Sequence, residues 1–229
     1  MTRTPGKVGR PRHAPPLRAG ASGREQILDA AAEMFTQQGY AATSTRNIAL
    51  AVGVKQASLY YHFASKEDIL AGLLAGTVKP SLTFAAHLPR SKEPPHVQLF
   101  ALSYFDVSLL CSGPANIGAL YHLPETRSER FADFRHDRQQ LRRAYGRRIA
   151  AGVRAGTFTV QSIDIATKLV FALSESVISM RSDDADLDPD LPAVVATSSL
   201  RLLSCPEDEI ALAATKCKGL VDLAPSAEA

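Results

Sequence analysis

The chain has 229 residues, of which 45% are hydrophobic and 21% are charged, and its formal net charge is +3. This length allows one or two domains, and the hydrophobic fraction is sufficient for a buried core. No apolar run approaches the length of a membrane span, and the basic N-terminus lacks the apolar segment of a signal peptide. We therefore expect a cytoplasmic protein with no membrane partner.

Three cysteines, Cys111, Cys205 and Cys217, lie far apart in the chain, and their spacing matches no metal motif. We expect reduced and mostly buried thiols, and the sequence gives no support for a redox sensor. It predicts neither a metal site nor a cofactor.

Positive charge is concentrated in the first seventy residues, with nine Lys and Arg against five Asp and Glu. An excess of this kind is what a polyanionic partner requires. Residues 1–22 are rich in Arg, Pro and Gly and contain no acidic residue, which predicts a disordered arm. Two interpretations stay open: a solvated tail, or an arm whose Arg10, Arg12 and Arg18 reach a DNA groove or backbone.

A helix-turn-helix is predicted between Thr43 and Phe63. A hydroxyl at Thr43 or Ser44 can cap its first helix, and Gly53 allows the sharp turn between the two helices. The outward face of the second helix is rich in groups that can bind phosphates and base edges. The pattern would also suit a plain helical hairpin in a core. The residues of this helix expected to pack inward are Leu59, Tyr60 and Phe63.

Helical patterns also flank this motif. An amphipathic helix from Glu25 to Gln38 precedes it and is closed by Gly39. After it, Ser65-Lys66-Glu67-Asp68 fits a capping box that opens a helix towards Val78. Pro80 is expected to kink or end that helix.

The stretch from Arg24 to Leu74 resembles the N-terminal domain of the TetR family of transcriptional regulators. It covers under a quarter of the chain and departs from the family at Lys55, where the family usually has Ser or Thr. This change weakens the helix cap by roughly 1 kcal/mol but adds a charge that could meet a phosphate. The residues that carry the resemblance are Gly39-Tyr40-Ala41-Ala42-Thr43-Ser44, Ile48-Ala49, Val52-Gly53-Val54, Leu59-Tyr60-Tyr61-His62-Phe63 and Ser65-Lys66-Glu67.

We expect the DNA contacts to divide between bases and phosphates. Gln56 and Ser58 lie near the start of the recognition helix, where side chains reach base edges, and Gln56 can hold an adenine through two hydrogen bonds. Most of the other polar side chains are assigned to phosphates. The expected DNA-binding residues are Ser44, Thr45, Arg46, Lys55, Gln56, Ala57, Ser58, Tyr60, Tyr61, His62 and Lys66.

Every element predicted beyond residue 70 is a helix, and no strand, repeat or phosphate loop is present. The sequence thus predicts an all-α fold, with a three-helix DNA-binding domain at residues 23–70 and a helical regulatory bundle at residues 71–229. An arginine-rich run in the long central helix fits a solvated face with ion pairs better than a nucleic-acid site. The predicted helices are His96–Cys111, Asn116–His122, Glu125–Ala155, Ile163–Met180, Ala193–Ser204 and Glu207–Leu223.

The resemblance implies that the second domain dimerises and binds a small molecule. The helices that begin at Ile163 and Ala193 are the expected dimer interface, with Leu173 and Val177 inside it. Apolar walls with a few polar groups suit an apolar or aromatic effector. An ordinary core position is the alternative for each aromatic residue, and Glu175 needs either an arginine or an effector as its partner. The expected ligand-binding residues are Phe100, Tyr104, Tyr121, His122, Phe134, Phe171 and Glu175.

The sequence therefore predicts a ligand-responsive, homodimeric regulator of transcription, a repressor released from double-stranded operator DNA by a small molecule. An architectural DNA-binding protein without an effector is the alternative. An enzyme is disfavoured, because the histidine spacings match no metal motif and no nucleophile elbow is present.

Overall fold

The computed structural model describes residues 21–184 and 186–222. Most of the arm predicted to be disordered, and with it both interpretations of Arg10, Arg12 and Arg18, therefore lies outside the described residues. The described part is helical, as the sequence predicts, and contains no strand. The chain divides into two compact units between Leu70 and Ala71.

The first unit contains helices α1 (Gly23–Gln37), α2 (Thr45–Val52) and α3 (Gln56–His62). Helix α4 (Lys66–His87) begins in it and continues into the second unit. The hydrophobic residues that form the core of this unit include Ile27, Phe35, Ile48, Leu59 and Phe63.

Local sequence signals define the ends of these helices. The hydroxyl of Ser44 accepts a hydrogen bond from the Asn47 N–H at 3.1 Å and caps α2. Gly53 ends the same helix with a φ of 72°, in the left-handed region that a side chain disfavours. Ser65 accepts from the Asp68 N–H at 3.1 Å at the start of α4. The predicted caps and turn are thus confirmed, and Lys55 precedes α3 without a side-chain cap.

Helix α4 passes through Pro80, which was expected to kink or end it. A proline inside a helix removes one backbone hydrogen bond and costs about 3 kcal/mol in isolation. Buried apolar side chains on both sides of the proline, Val78 and Phe84 among them, offset this cost. Tertiary burial therefore decides where this helix ends.

Among the described residues, the stretch Lys66–Ser91 is long and apolar enough to cross a membrane by length and composition. The expectation that no run reaches such a length is wrong for this stretch. Half of the most apolar window of this stretch is buried inside the protein.

The second unit is built around helix α5 (Pro95–Cys111), which packs most extensively against four other helices and is also hydrogen-bonded to α4. The segment that follows α5 contains short 3-10 helices at Ile117–His122, Pro124–Arg127 and Glu129–Phe131. The predicted helix from Glu125 therefore begins only at Ala132, because Ser128 has an extended backbone. The four helices packed on α5 are α6 (Ala132–Arg154), α7 (Ile163–Asp183), α8 (Leu191–Leu202) and α9 (Glu207–Val221).

One carboxylic acid, Asp106, lies inside this core. It accepts hydrogen bonds from the Ser81 hydroxyl at 2.7 Å and from the Tyr145 hydroxyl at 2.9 Å, which join α4, α5 and α6. Burial raises the pKa of Asp106 to about 6, although both hydrogen bonds act in the opposite direction. The folded protein therefore holds a proton at Asp106 at pH values where the unfolded chain has lost it.

We expect Asp106→Asn to stabilise the protein above pH 6. The unfolded aspartate ionises near pH 4 and the folded one near pH 6, so stability falls as pH rises through this window and stays lower above it. The gain over wild type should be near zero at pH 3.5 and on the order of 1–3 kcal/mol at pH 7.5. Urea denaturation at fixed protomer concentration measures it, with exposed Asp133→Asn as the control. If the difference in the free energy of unfolding between wild type and variant does not change with pH, the raised pKa of Asp106 is contradicted.

Candidate DNA-binding surface and effector cavity

Helix α3 buries one of its residues, Leu59, in the core of the first unit. Tyr60 was expected to pack inward, but 47% of it is exposed. Its hydroxyl lies 3.2 Å from the Thr45 hydroxyl, which links α3 to the start of α2. Leu59 and Phe63 are buried as predicted. The exposed residues of α3 are Gln56, Ala57, Ser58, Tyr60, Tyr61 and His62.

The predicted contacts outside α3 lie on two elements. Ser44 and Arg46 are exposed at the start of α2, and Thr45 is half-buried there. Lys55 is exposed at the turn before α3, where its side chain makes no capping bond. The structure thus leaves these polar groups accessible, and their contacts with DNA stay a prediction.

Lys66 has a structural role that the sequence did not predict. Its ammonium group donates to the Tyr40 carbonyl at 2.9 Å and to the Thr43 carbonyl at 3.0 Å. It also lies 4.1 Å from the centre of the Tyr40 ring. These contacts fix the start of α4 against the segment before α2, so a phosphate contact is at most a second role for this lysine.

Arg24 is an additional candidate that the sequence reasoning missed. It is exposed at the start of α1, and its guanidinium group lies 5.0 Å from the centre of the Phe63 ring. The same helix start is near the end of α3, since a Cβ on Gly23 would lie 3.1 Å from Nε2 of His62. The signal in the sequence was an arginine just after the basic arm.

A cavity of about 620 Å³ lies in the second unit, between residues 121–129 and helices α6 and α7. Four of the seven expected ligand-binding residues line it: Tyr121, His122, Phe134 and Phe171. The rings of Tyr121 and Phe134 are 5.1 Å apart, and the Tyr121 hydroxyl donates to the Thr77 hydroxyl at 2.6 Å. These side chains form an ordered aromatic wall.

The other three expected residues do not line this cavity. Phe100 is buried in the core, because α5 is surrounded by other helices. Tyr104 lines a separate cavity of about 510 Å³ that also contains Cys111 and Arg181. Glu175 is bound by an arginine of the neighbouring helix, which was one of its two predicted partners.

That arginine is Arg138, which binds Glu175 through two hydrogen bonds. Its Nε donates to Oε1 at 2.6 Å, and its Nη2 donates to Oε2. The guanidinium group lies 5.4 Å from the centre of the Phe171 ring and 5.9 Å from that of Tyr121. Burial alone would lower the pKa of Arg138, but the bond to Glu175 and its charge raise it above the usual value.

Arginines of the long helix contribute to the cavity wall, although the sequence interpretation placed them on a solvated face. Arg135, Arg138 and Arg142 line the cavity from α6. Arg127 lines it from the 3-10 helix Pro124–Arg127. Their spacing, with intervals of three and four residues, places the three α6 side chains on one face of the helix. The wall is therefore more polar than the aromatic pattern predicted.

Apolar side chains are exposed along α7 and α8. Ile165 is 58% exposed, Leu169 is 51% exposed and Val194 is 53% exposed. Val177, expected in a dimer interface, is fully buried in a core cluster, and Leu173 packs against that cluster. Both helices are apolar on several sides, so the sequence did not show which side faces outward. The apolar stripe consists of Ile165, Leu169, Met180, Val194 and Leu202.

Comparisons with known proteins agree on the first unit. The family model described as "Bacterial regulatory proteins, tetR family" matches residues 27–73. The HTH-type transcriptional repressor KstR2 of Mycobacterium tuberculosis H37Rv is 47% identical over 55 residues, which span 24% of this chain and 28% of KstR2. The biofilm operon icaADBC HTH-type negative transcriptional regulator IcaR of Staphylococcus aureus Newman is 46% identical over 46 residues, which span 20% of this chain and 25% of IcaR. These curated relatives thus match over little more than a quarter of their length.

The similarity to one solved structure extends through both units. The crystal structure of Mycobacterium smegmatis AmtR shares 48% identity, covers 90% of this chain and 98% of its own, and superposes with a TM-score of 0.81. Because this relative is matched almost end to end and the family model covers the helix-turn-helix, the chain belongs to the TetR family of bacterial regulatory proteins.

Proposed function

We propose that this chain is a homodimeric transcriptional repressor that binds double-stranded operator DNA through α3 and is released by a small molecule. The observation that carries the proposal is that α3 exposes every residue except Leu59. Its exposed amide, hydroxyl, phenol and imidazole groups add nothing to the core and suit base edges and phosphates. KstR2 and IcaR, named a repressor and a negative regulator, support repression as the outcome.

Within this proposal, Gln56 and Ser58 read bases and charged groups hold the backbone. Arg46 at the start of α2 and Lys55 just before α3 are exposed and bind phosphates, as does Arg24. Tyr61 and His62, whose rings lie 5.2 Å apart, add phosphate contacts at the far end of α3. Lys66 supports this surface by donating hydrogen bonds to the Tyr40 and Thr43 carbonyls, which hold the start of α4 against the segment before α2.

Two copies of the chain supply the two recognition helices. Most helix-turn-helix proteins bind two half-sites about one helical turn of DNA apart, and a two-fold dimer provides the second recognition helix. The apolar stripe on α7 and α8 is the surface we assign to that dimer, because its large side chains are half exposed in the single chain.

The effector binds in the cavity lined by Tyr121, Phe134 and Phe171. An apolar or aromatic body fits this wall, and a cavity of about 620 Å³ is of the size that small ligands occupy. Displacing Tyr121 would break its bond to Thr77 on α4, the helix that continues to Lys66. A tenfold loss of operator affinity requires about 1.4 kcal/mol of coupling, and operator DNA must then weaken the effector equally.

Gln56→Ala is expected to relax base preference at one position of each half-site. Loss of a bidentate contact to adenine should reduce discrimination there by roughly 1–3 kcal/mol. Fluorescence anisotropy against duplexes in which each operator base pair is changed in turn measures this effect. Unchanged affinity ratios across all duplexes would show that Gln56 does not read a base.

Lys55→Ala is the matched variant for backbone contact. It should weaken all duplexes by the same factor and reduce the slope of log affinity against log salt by about 1. Lys55 is preferred to Lys66 for this test, because removing Lys66 would also break its two bonds to backbone carbonyls.

Leu169→Glu is expected to give monomers with operator affinity reduced by at least about tenfold, since the charge would enter the two-fold interface without a partner. Light scattering and gel shift measure both effects, and circular dichroism checks the fold. Leu212→Glu on α9 is the control, because Leu212 is a similarly exposed leucine, at 40%, outside the apolar stripe. A Leu169→Glu variant that remains dimeric would place the interface elsewhere.

A further inference from the structure

The effector cavity has an excess of positive charge. Its wall contains four arginines and one carboxylate, Glu129, and a second carboxylate, Glu175, is bound to Arg138. With histidines neutral, four guanidinium groups and two carboxylates leave an excess of two positive charges. A cavity that served only an uncharged apolar molecule would gain nothing from this arrangement, because each guanidinium loses hydration when a ligand covers it.

The arginines differ in how far they are already neutralised. Arg138 is bound in full by Glu175. Arg135 donates to the carbonyls of Thr126 and Ser128 at 2.8 and 2.6 Å, and its nearest carboxylate, of exposed Glu129, is 3.9 Å away. Within the described residues, Arg142 has no carboxylate at ion-pair distance, although it is half-buried in the cavity wall. Arg142 and Arg135 therefore retain capacity for an anion.

An aromatic surface lies beside these charges. Phe171 and Tyr121 flank Arg138, and Phe134 packs against Tyr121 in the same cavity. Guanidinium groups bind carboxylates through paired, planar hydrogen bonds, whereas aromatic faces bind flat apolar groups. The cavity combines both surfaces within the reach of one small molecule.

We propose that the effector is an organic anion, with a carboxylate bound by Arg135 and Arg142 and a flat apolar body packed on Phe134 and Phe171. This inference rests on the proposed function, since it names the chemical class of the molecule bound in that cavity. Arg138 contributes its charge to the wall while Glu175 keeps it in place. The effector is thus still aromatic, as the sequence predicts, and it also carries a negative charge.

The test compares two probes of the same shape, 2-naphthoate and 2-naphthamide, by calorimetric titration of the full chain at fixed ionic strength. Naphthoate is expected to bind at least about tenfold more tightly than naphthamide, which corresponds to about 1.4 kcal/mol. Arg142→Gln should remove most of this preference and leave naphthamide affinity unchanged. Arg135→Gln should also lower the preference, but it breaks the bonds of Arg135 to the Thr126 and Ser128 carbonyls, so naphthamide affinity is compared only in Arg142→Gln. Arg143→Gln is the control, because Arg143 is exposed on the same helix and does not line the cavity.

Equal binding of the two probes, or a preference for naphthoate that survives both variants, would overturn the inference and leave an uncharged effector in the same cavity. Failure of both probes to bind would also overturn it for flat carboxylic acids. Gel shift with operator DNA and no probe tests the proposed function separately. Loss of operator binding there would count against a repressor, whatever the probes do.

Discussion

The ion pair between Arg138 and Glu175 joins helix α6 to helix α7 at the wall of the cavity. It holds a guanidinium group between two aromatic rings, where an unpaired charge would be poorly solvated. The side chains are 37% and 17% exposed, so water screens part of the attraction and its contribution to stability is modest. Its main effect is to fix the position of the Arg138 side chain, whose hydrogen bonds and charge are taken up by Glu175. Arg135 and Arg142 are not bound by this carboxylate.

Much of the fold could be predicted because the signals for it are local. A serine before a helix, a glycine with positive φ after one, and apolar residues at helical spacing each act within a few residues. The all-α architecture, the ends of α2 and the start of α4 follow from such signals. Pro80 does not end α4, because buried apolar residues on both sides of it keep the helix packed. Helix α6 begins later than predicted, because the extended backbone of Ser128 interrupts the segment before it.

The sites were predictable only where one side of a helix differs clearly from the other. On α3 the sequence places Leu59 inward and the polar side chains outward as observed, although it also expects Tyr60, which is 47% exposed, to pack inward. Helix α7 is apolar on several sides, so the sequence could not show that Val177 is buried and Leu169 is exposed. The arginines of α6 lie on one side of their helix, but the sequence does not show what that side faces. The same periodic pattern is expected for a solvated face and for a charged cavity wall. Only the packing of α6 beside Phe171 distinguishes the two.

Leu59 is the buried residue of α3, and this has a consequence for how such proteins diverge. A substitution at any other position of this helix changes a surface residue, and surface substitutions usually alter the free energy of unfolding by less than about 0.5 kcal/mol. The positions proposed to read bases are therefore almost uncoupled from the positions that keep the chain folded. Duplicated copies of such a gene could acquire new target sequences by single changes in α3, each copy remaining a stable protein throughout.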